Sequence, residues 1–198
     1  MKKLLKIISL ILAMTFVFAA CGSNGTNETT SSADSSETAH PQVKFTMENG
    51  GAFIVELYPE YAPKTVENFL ELVESGYYNG LTFHRVMEDF MAQGGEGAKT
   101  DRIVGEFAIN GFEQNTLSHT RGVISMARTS DNYNSASSQF FICYADVTFL
   151  DGQYAAFGKV VEGMEVVDAF LEVERTYNSG GELAVPVDPI VIETAEVI

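Results

Sequence analysis

Phe83-His84-Arg85-Val86-Met87-Glu88-Asp89-Phe90-Met91-Ala92-Gln93-Gly94-Gly95 is the stretch from which the rest of this 198-residue chain is best read. It falls in two short strand-like runs, Leu81 to Val86 and Phe90 to Gln93. The glycines that follow, Gly94-Gly95-Glu96-Gly97, lack the lysine and the following helix of a phosphate-binding loop. They are better read as a tight turn.

The same texture extends outward in both directions. Upstream, Val43 to Met47 and Phe53 to Leu57 flank Asn49-Gly50, a strong hairpin signal. Pro63 suits the first turn of a helix, Val66, Phe69, Leu70 and Val73 follow at helical spacing, and Gly76 ends it. Downstream come further short runs, Gly122 to Ala127, Gln139 to Cys143 and Ala155 to Val161. A second short helix is expected over Met164 to Val173, with Val166, Val167 and Phe170 facing inward. A last strand is expected from Ile190 to Ile198. Many short strands, glycine-rich turns and only two helices point to a mostly β fold, a closed barrel capped by helices.

Composition narrows the possibilities. The formal charge of −15 and a pI near 4.4 argue against nucleic acid, because no Lys/Arg cluster lies beyond the N-terminus. At that N-terminus Lys2, Lys3 and Lys6 precede an uncharged apolar run from Ile7 to Ala20. The run is short for a membrane span and fits a signal peptide. It ends Phe18-Ala19-Ala20-Cys21-Gly22, which resembles the processing site of bacterial lipoproteins, although Phe18 stands where Leu is usual. Residues 1–20 are therefore expected to be a lipoprotein signal peptide, and 21–42 a lipidated Cys21 followed by a Ser/Thr/Asn-rich tether. Residues 43–198 form the globular domain in this reading, anchored outside the cytoplasm on a bacterial cell membrane. Cys143 would remain as a single cysteine in an apolar run without a basic flank, expected to be a buried, inert thiol.

Conventional catalytic machinery is missing from the sequence. His40, His84 and His119 are scattered without metal-ligand spacing, and there is no Gly-x-Ser-x-Gly elbow. Neither a metal nor a cofactor is implied.

Four blocks, in order, carry a resemblance: Phe83 to Gly95, Gly122 to Arg128, Ser138 to Ile142 and Phe149 to Val160. Together they are similar to the signature blocks of the cyclophilins, and the resemblance spans Val43 to Ile198. It implies an eight-stranded antiparallel barrel with two capping helices and a proline-binding groove on its outer face. The activity implied is peptidyl-prolyl cis-trans isomerisation, acting on proline-containing unfolded or exported polypeptides. Position by position, the resemblance makes Arg85 the catalytic arginine, with Phe90 and Gln93 beside it. Phe90, Met91, Phe141 and Leu150 would line the proline pocket, and Gln93 and Gln139 its polar wall. Ala127 and Arg128 would meet the substrate backbone, and Phe149 and Tyr154 complete the rim.

The chemistry suits those residue types. An X-Pro bond resists rotation by ~18–20 kcal/mol because the nitrogen lone pair is shared with the carbonyl. In the twisted state that nitrogen can accept a hydrogen bond, so a guanidinium aimed at it favours the twisted state over either planar one. Many cyclophilins carry Trp where this chain has Phe149, and Phe has no N–H to offer cyclosporin, so weak binding of that inhibitor is expected. Tyr154 replaces a frequent His, Arg128 a frequent Asn, and Asn132-Tyr133 stand where Pro is commoner. A different class of function, a non-catalytic chaperone or scaffold that holds proline segments, would not need Arg85. A solute-capturing lipoprotein would need two lobes, for which the chain has no room.

Overall fold

The computed structural model describes residues 40–198. The expected signal peptide, Cys21 and the expected tether as far as residue 39 lie outside the described residues. Ten strands follow in chain order: β1 (Gln42–Met47), β2 (Ala52–Leu57), β3 (Thr82–Met87), β4 (Met91–Gly94), β5 (Val123–Met126), β6 (Phe140–Cys143), β7 (Ala156–Glu162), β8 (Arg175–Tyr177), β9 (Leu183–Pro186) and β10 (Ile190–Val197). Eight of them close a barrel in the order β1-β10-β3-β4-β6-β5-β7-β2, with β2 returning to β1 and every pair antiparallel. Closure removes the sheet edges that would otherwise offer unpaired backbone. This is the barrel expected from the sequence. Among the described residues, no helix is long and apolar enough to cross a membrane.

The first hairpin shows why these residues choose strands. Val43, Phe45 and Met47 of β1 alternate inward, as do Phe53, Val55 and Leu57 of β2. Phe45 sits opposite Phe53 in register, their rings stacked at 4.9 Å. Gly50 takes φ +85° in the turn between them, where an L side chain would be strained.

Two helices cover the core. Helix α1 (Pro63–Glu74) inserts Phe69, which lies 4.9 Å from Phe157 and 5.6 Å from Phe140. Its N-terminus has no side-chain cap of its own, since Ala62 precedes Pro63. The buried carboxylate of Glu106, from a distant loop, supplies one instead. It accepts the N–H groups of Lys64 (3.0 Å) and Thr65 (2.8 Å) and the Thr65 hydroxyl (2.7 Å).

Helix α2 is shorter than the spacing suggests. It runs Met164–Asp168 and then tightens into a 3₁₀ turn, Ala169–Glu172. The tighter winding accompanies the insertion of Phe170 against Phe83, 4.9 Å away. Val167 and Phe170 are buried as expected, whereas Val166 is only half-buried, lying against Gly51.

The sequence reading assigned no structure to residues 174–189. They form a second, two-stranded sheet, β8 paired with β9, which packs against β3. Its strands are short and bury only Ala184, so they carry little of the apolar alternation that marks the barrel.

Candidate functional site

Strand register aligns the site. Arg85 on β3 pairs with Gln93 on β4, Gln93 with Phe141 on β6, and Phe141 with Ser125 on β5. These residues therefore form one row across four neighbouring strands, with adjacent strands ~4.8 Å apart. Alternation settles which side they face. Ala92, Phe140 and Ile142 belong to the barrel core, while Met91, Phe141 and Cys143 belong to a separate apolar cluster outside it. Val123, Val147, Leu150 and Ala156 complete that cluster, and Phe90, Ala127 and Tyr154 pack over it.

Above this cluster lies a cleft of about 420 Å³, part of it open to solvent. Met91, Phe141 and Leu150 are nearly buried and form its floor, and Phe90, Ala127 and Tyr154 rise at its sides. Arg85, Gln93 and Arg128 supply its polar edge. Two local features aim the walls. The turn joining β3 to β4 places Asp89 at φ +58°, which a short polar residue tolerates, and delivers Phe90 to the cleft. A 3₁₀ turn at Thr148–Leu150 turns Leu150 inward and Phe149 outward.

Nine of the eleven residues expected around the groove thus line one cavity. The other two stand beside it. Gln139 lines an adjoining depression that shares Gln93, Ala127 and Arg128, and its Oε1 accepts a 2.8 Å hydrogen bond from Gln93 Nε2. Phe149 is 64% exposed and reaches the cleft only through Phe90, against which its ring stacks at 6.0 Å.

The two arginines are held differently. Arg128 donates to the carbonyls of Gln153 (3.0 Å) and Thr129 (2.9 Å), and its guanidinium lies over Tyr154 at 4.5 Å and Tyr133 at 4.9 Å. Its side chain is a wall, not a free probe. Arg85 makes a bidentate ion pair with Glu182, Nε to Oε2 at 3.1 Å and Nη2 to Oε1 at 2.8 Å. Its Nη1 reaches Gln93 Oε1 at a long 3.5 Å, and Phe90 lies under the guanidinium at 5.8 Å. Arg85 and then Asn178 hold the Glu182 carboxyl below the usual carboxylate range.

Beneath the floor, His119 is fully buried, its ring stacked 6.0 Å from Phe141. Its Nδ1–H donates to Asp151 Oδ1 at 2.9 Å, and its Nε2 accepts from Ser125 Oγ at 3.0 Å. The Asp151 acceptor sets this tautomer. Burial pushes the imidazole below its ordinary range despite the nearby carboxylate. Burial alone would raise Asp151, but hydrogen bonds from Ser118, the His119 N–H and the His119 ring bring it below the carboxylate range. The trio has the connectivity of a nucleophilic triad, yet Ser125 is wholly buried behind Phe141, so no substrate atom could reach it. It braces the floor. Cys143 is also fully buried, its thiol pushed up to about 12 by burial, as an inert cysteine should be.

Glu182 is the site residue that sequence reasoning missed. It stands 97 positions from Arg85, and no motif distinguishes it from the many other acids. The turn residues Asn178-Ser179-Gly180-Gly181 were a legible sign of a hairpin, but not of where that hairpin would fold.

The cleft thus sets an apolar floor beside a polar edge. The family model described as cyclophilin type peptidyl-prolyl cis-trans isomerase/CLD matches residues 42–197. The chain is 46% identical over 157 residues to peptidyl-prolyl cis-trans isomerase A of Dickeya dadantii, covering 76% of this chain and 81% of that protein. It is 43% identical over 159 residues to the isomerase cyp18 of Streptomyces antibioticus, covering 76% and 95%. A solved cyclophilin type isomerase of Cryptosporidium parvum superposes with a TM-score of 0.66 at 29% identity, covering 80% of this chain and 98% of that one. The same protein was also solved in the presence of the dipeptide Ala-Pro, with a TM-score of 0.65. By family model, by relatives and by fold, this chain belongs to the cyclophilin-type peptidyl-prolyl cis-trans isomerases.

Proposed function

We propose that X-Pro bonds turn in the cleft between Arg85 and Phe141, and that the protein serves exported polypeptides as a lipid-anchored folding enzyme. The observation that carries the first part is the row Arg85–Gln93–Phe141, which sets one charged donor beside an apolar floor. The proline ring would rest on Met91, Phe141 and Leu150, gaining from apolar burial without needing a polar partner. With the ring held, the preceding carbonyl rotates. The guanidinium of Arg85 donates to the proline nitrogen as its lone pair leaves conjugation, an interaction stronger in the twisted state than in either planar one. Gln93 and Gln139, already bonded to each other, would meet the flanking backbone, as would Ala127 and the backbone at Arg128.

A charged hydrogen bond is worth ~1.5–3 kcal/mol, and ~1.36 kcal/mol is a decade of rate, so Arg85 accounts for about one to two decades. The remainder comes from orientation on the dry floor. The test is turnover of an X-Pro peptide, followed by exchange NMR or a conformer-selective protease, for the protein and for Arg85→Ala. A loss of about ten- to hundredfold in kcat/KM is expected. Equal rates from two folded proteins would remove Arg85 from the mechanism, and no rate in either would favour a binding role.

The second part rests on the sequence alone. Lys2, Lys3 and Lys6, the apolar run to Ala20 and Cys21 support lipidation and an extracytoplasmic place of work. Two acyl chains suffice for stable anchoring where one is marginal. A Cys21→Ala chain should fail to take up labelled lipid in a bacterial host; uptake by that variant would refute the site.

A further inference from the structure

The β8–β9 hairpin is the least expected part of this fold, and its one charged contact with the site is Glu182. A guanidinium has five N–H donors in a rigid fork. Glu182 engages Nε and Nη2 along one edge, and Gln93 faces Nη1. Glu182 itself does not line the cleft, so the carboxylate takes the far edge of the fork and leaves a donor on each terminal nitrogen free.

Glu182 is in turn fixed within the hairpin. Asn178 Nδ2 donates to Glu182 Oε2 at 2.7 Å, and Asn178 Oδ1 accepts the backbone N–H groups of Gly180 (2.9 Å) and Glu182 (3.0 Å). The hairpin is tied to the barrel beyond this pair: Arg175 Nη1 donates to the Val86 carbonyl at 3.2 Å, next to Arg85 in β3. A chain of contacts thus runs from the barrel wall through the hairpin to the guanidinium.

An arginine in an open cleft otherwise has four rotatable bonds to order before it can meet a twisted imide. Gln93, at 3.5 Å, and Phe90, at 5.8 Å, are weak restraints on it. We propose that Glu182 is a positioning residue for the isomerase reaction, clamping the Arg85 guanidinium in the plane from which it meets the proline nitrogen. This rests on the cleft being the site of turnover. Because the clamp acts on the group that favours the twisted state, its loss falls on kcat and not on peptide binding.

The experiment measures kcat and KM for an X-Pro peptide by exchange NMR on the full chain, as wild type, Glu182→Gln, Arg85→Ala and the double variant. Glu182→Gln keeps the volume and one acceptor while losing the bidentate pair. The expected result is a fall of about three- to tenfold in kcat with KM within twofold, and no further loss from Glu182→Gln once Arg85 is Ala. The Arg85 Nε–H resonance should be sharp and slow to exchange in the wild type and broadened in Glu182→Gln.

An unchanged or increased kcat in Glu182→Gln would overturn the proposal, the increase by showing that the carboxylate competes with substrate. So would an equal loss in the Arg85→Ala background, which would mean that Glu182 serves only the hairpin. If Arg85→Ala itself retains full rate, the reading of the cleft fails along with the clamp. If Arg85→Ala is impaired and Glu182→Gln is not, the clamp alone fails.

Discussion

Replacing Glu106 by Gln tests how a distant loop holds the first helix. In the first turn of α1, Pro63 has no N–H, the Val66 N–H goes to the Ala62 carbonyl, and the two remaining donors, on Lys64 and Thr65, both reach Glu106. The best Gln rotamer keeps its oxygen on the Thr65 N–H and hydroxyl and turns its amide NH₂ toward the Lys64 N–H. One donor is then stranded, at a cost of about 1–3 kcal/mol at a buried site and less where water reaches it. The other contacts change from charged to neutral, and the negative charge at the helix N-terminus, worth about 0.3–1 kcal/mol, is lost. Together these give roughly 2–4 kcal/mol, or about 4–16 °C in Tm for a domain of this size. Urea and thermal unfolding at pH 7 measure the loss, while kcat/KM well below the transition should stay within twofold, because the Glu106 carboxylate bonds to Lys64 and Thr65, neither of which lines the cleft. A destabilisation under about 0.5 kcal/mol would refute the idea that this carboxylate is the cap of α1.

Three further outcomes are expected. Because burial depresses His119 and likewise His84, the unfolded chain takes up protons near about pH 6.5 before the native protein does; stability is therefore full above that pH and falls as pH drops toward 5. The depressed Asp151 adds a second loss as pH falls below about 4, and a Tm constant from pH 7 to 5 would contradict the histidine part. Cys143, fully buried with its thiol pushed up to about 12, should resist a thiol reagent at pH 8 in the native protein and react on unfolding; prompt native-state reaction would show the outer cluster to be open. Cyclosporin should inhibit weakly, since Phe149 offers an exposed ring without an N–H donor, and Phe149→Trp should strengthen inhibition; nanomolar inhibition of the natural protein would count against this.

The barrel strands were legible in the sequence because burial on one face imposes a period of two, seen plainly in Val43-Lys44-Phe45-Thr46-Met47 and in Phe53-Ile54-Val55-Glu56-Leu57. Helix α1 was legible through Pro63, its apolar spacing and Gly76, which takes φ +70° after the last turn. The cleft residues were legible by resemblance and not by pattern: Phe140 and Phe141 read alike, and only the direction of β6 sends the first into the barrel and the second into the cleft floor. The shortened α2 escaped because apolar spacing does not separate an α turn from the 3₁₀ turn that follows it.

Local physics, acting between near neighbours in the chain, determined the strands, the first helix and the turns, and the sequence alone carries that information. The lipoprotein reading of residues 1–21 also belongs to the sequence alone. What only the tertiary structure decided are the contacts made across the chain: Glu106 capping a helix 41 residues away, and Asp151 holding His119 under the floor. Above all, Glu182 reaches back 97 positions to Arg85. An acid with no neighbours in sequence is one solvated charge among many. It acquires a role only when barrel closure and a short hairpin bring it within 3 Å of the guanidinium at the cleft.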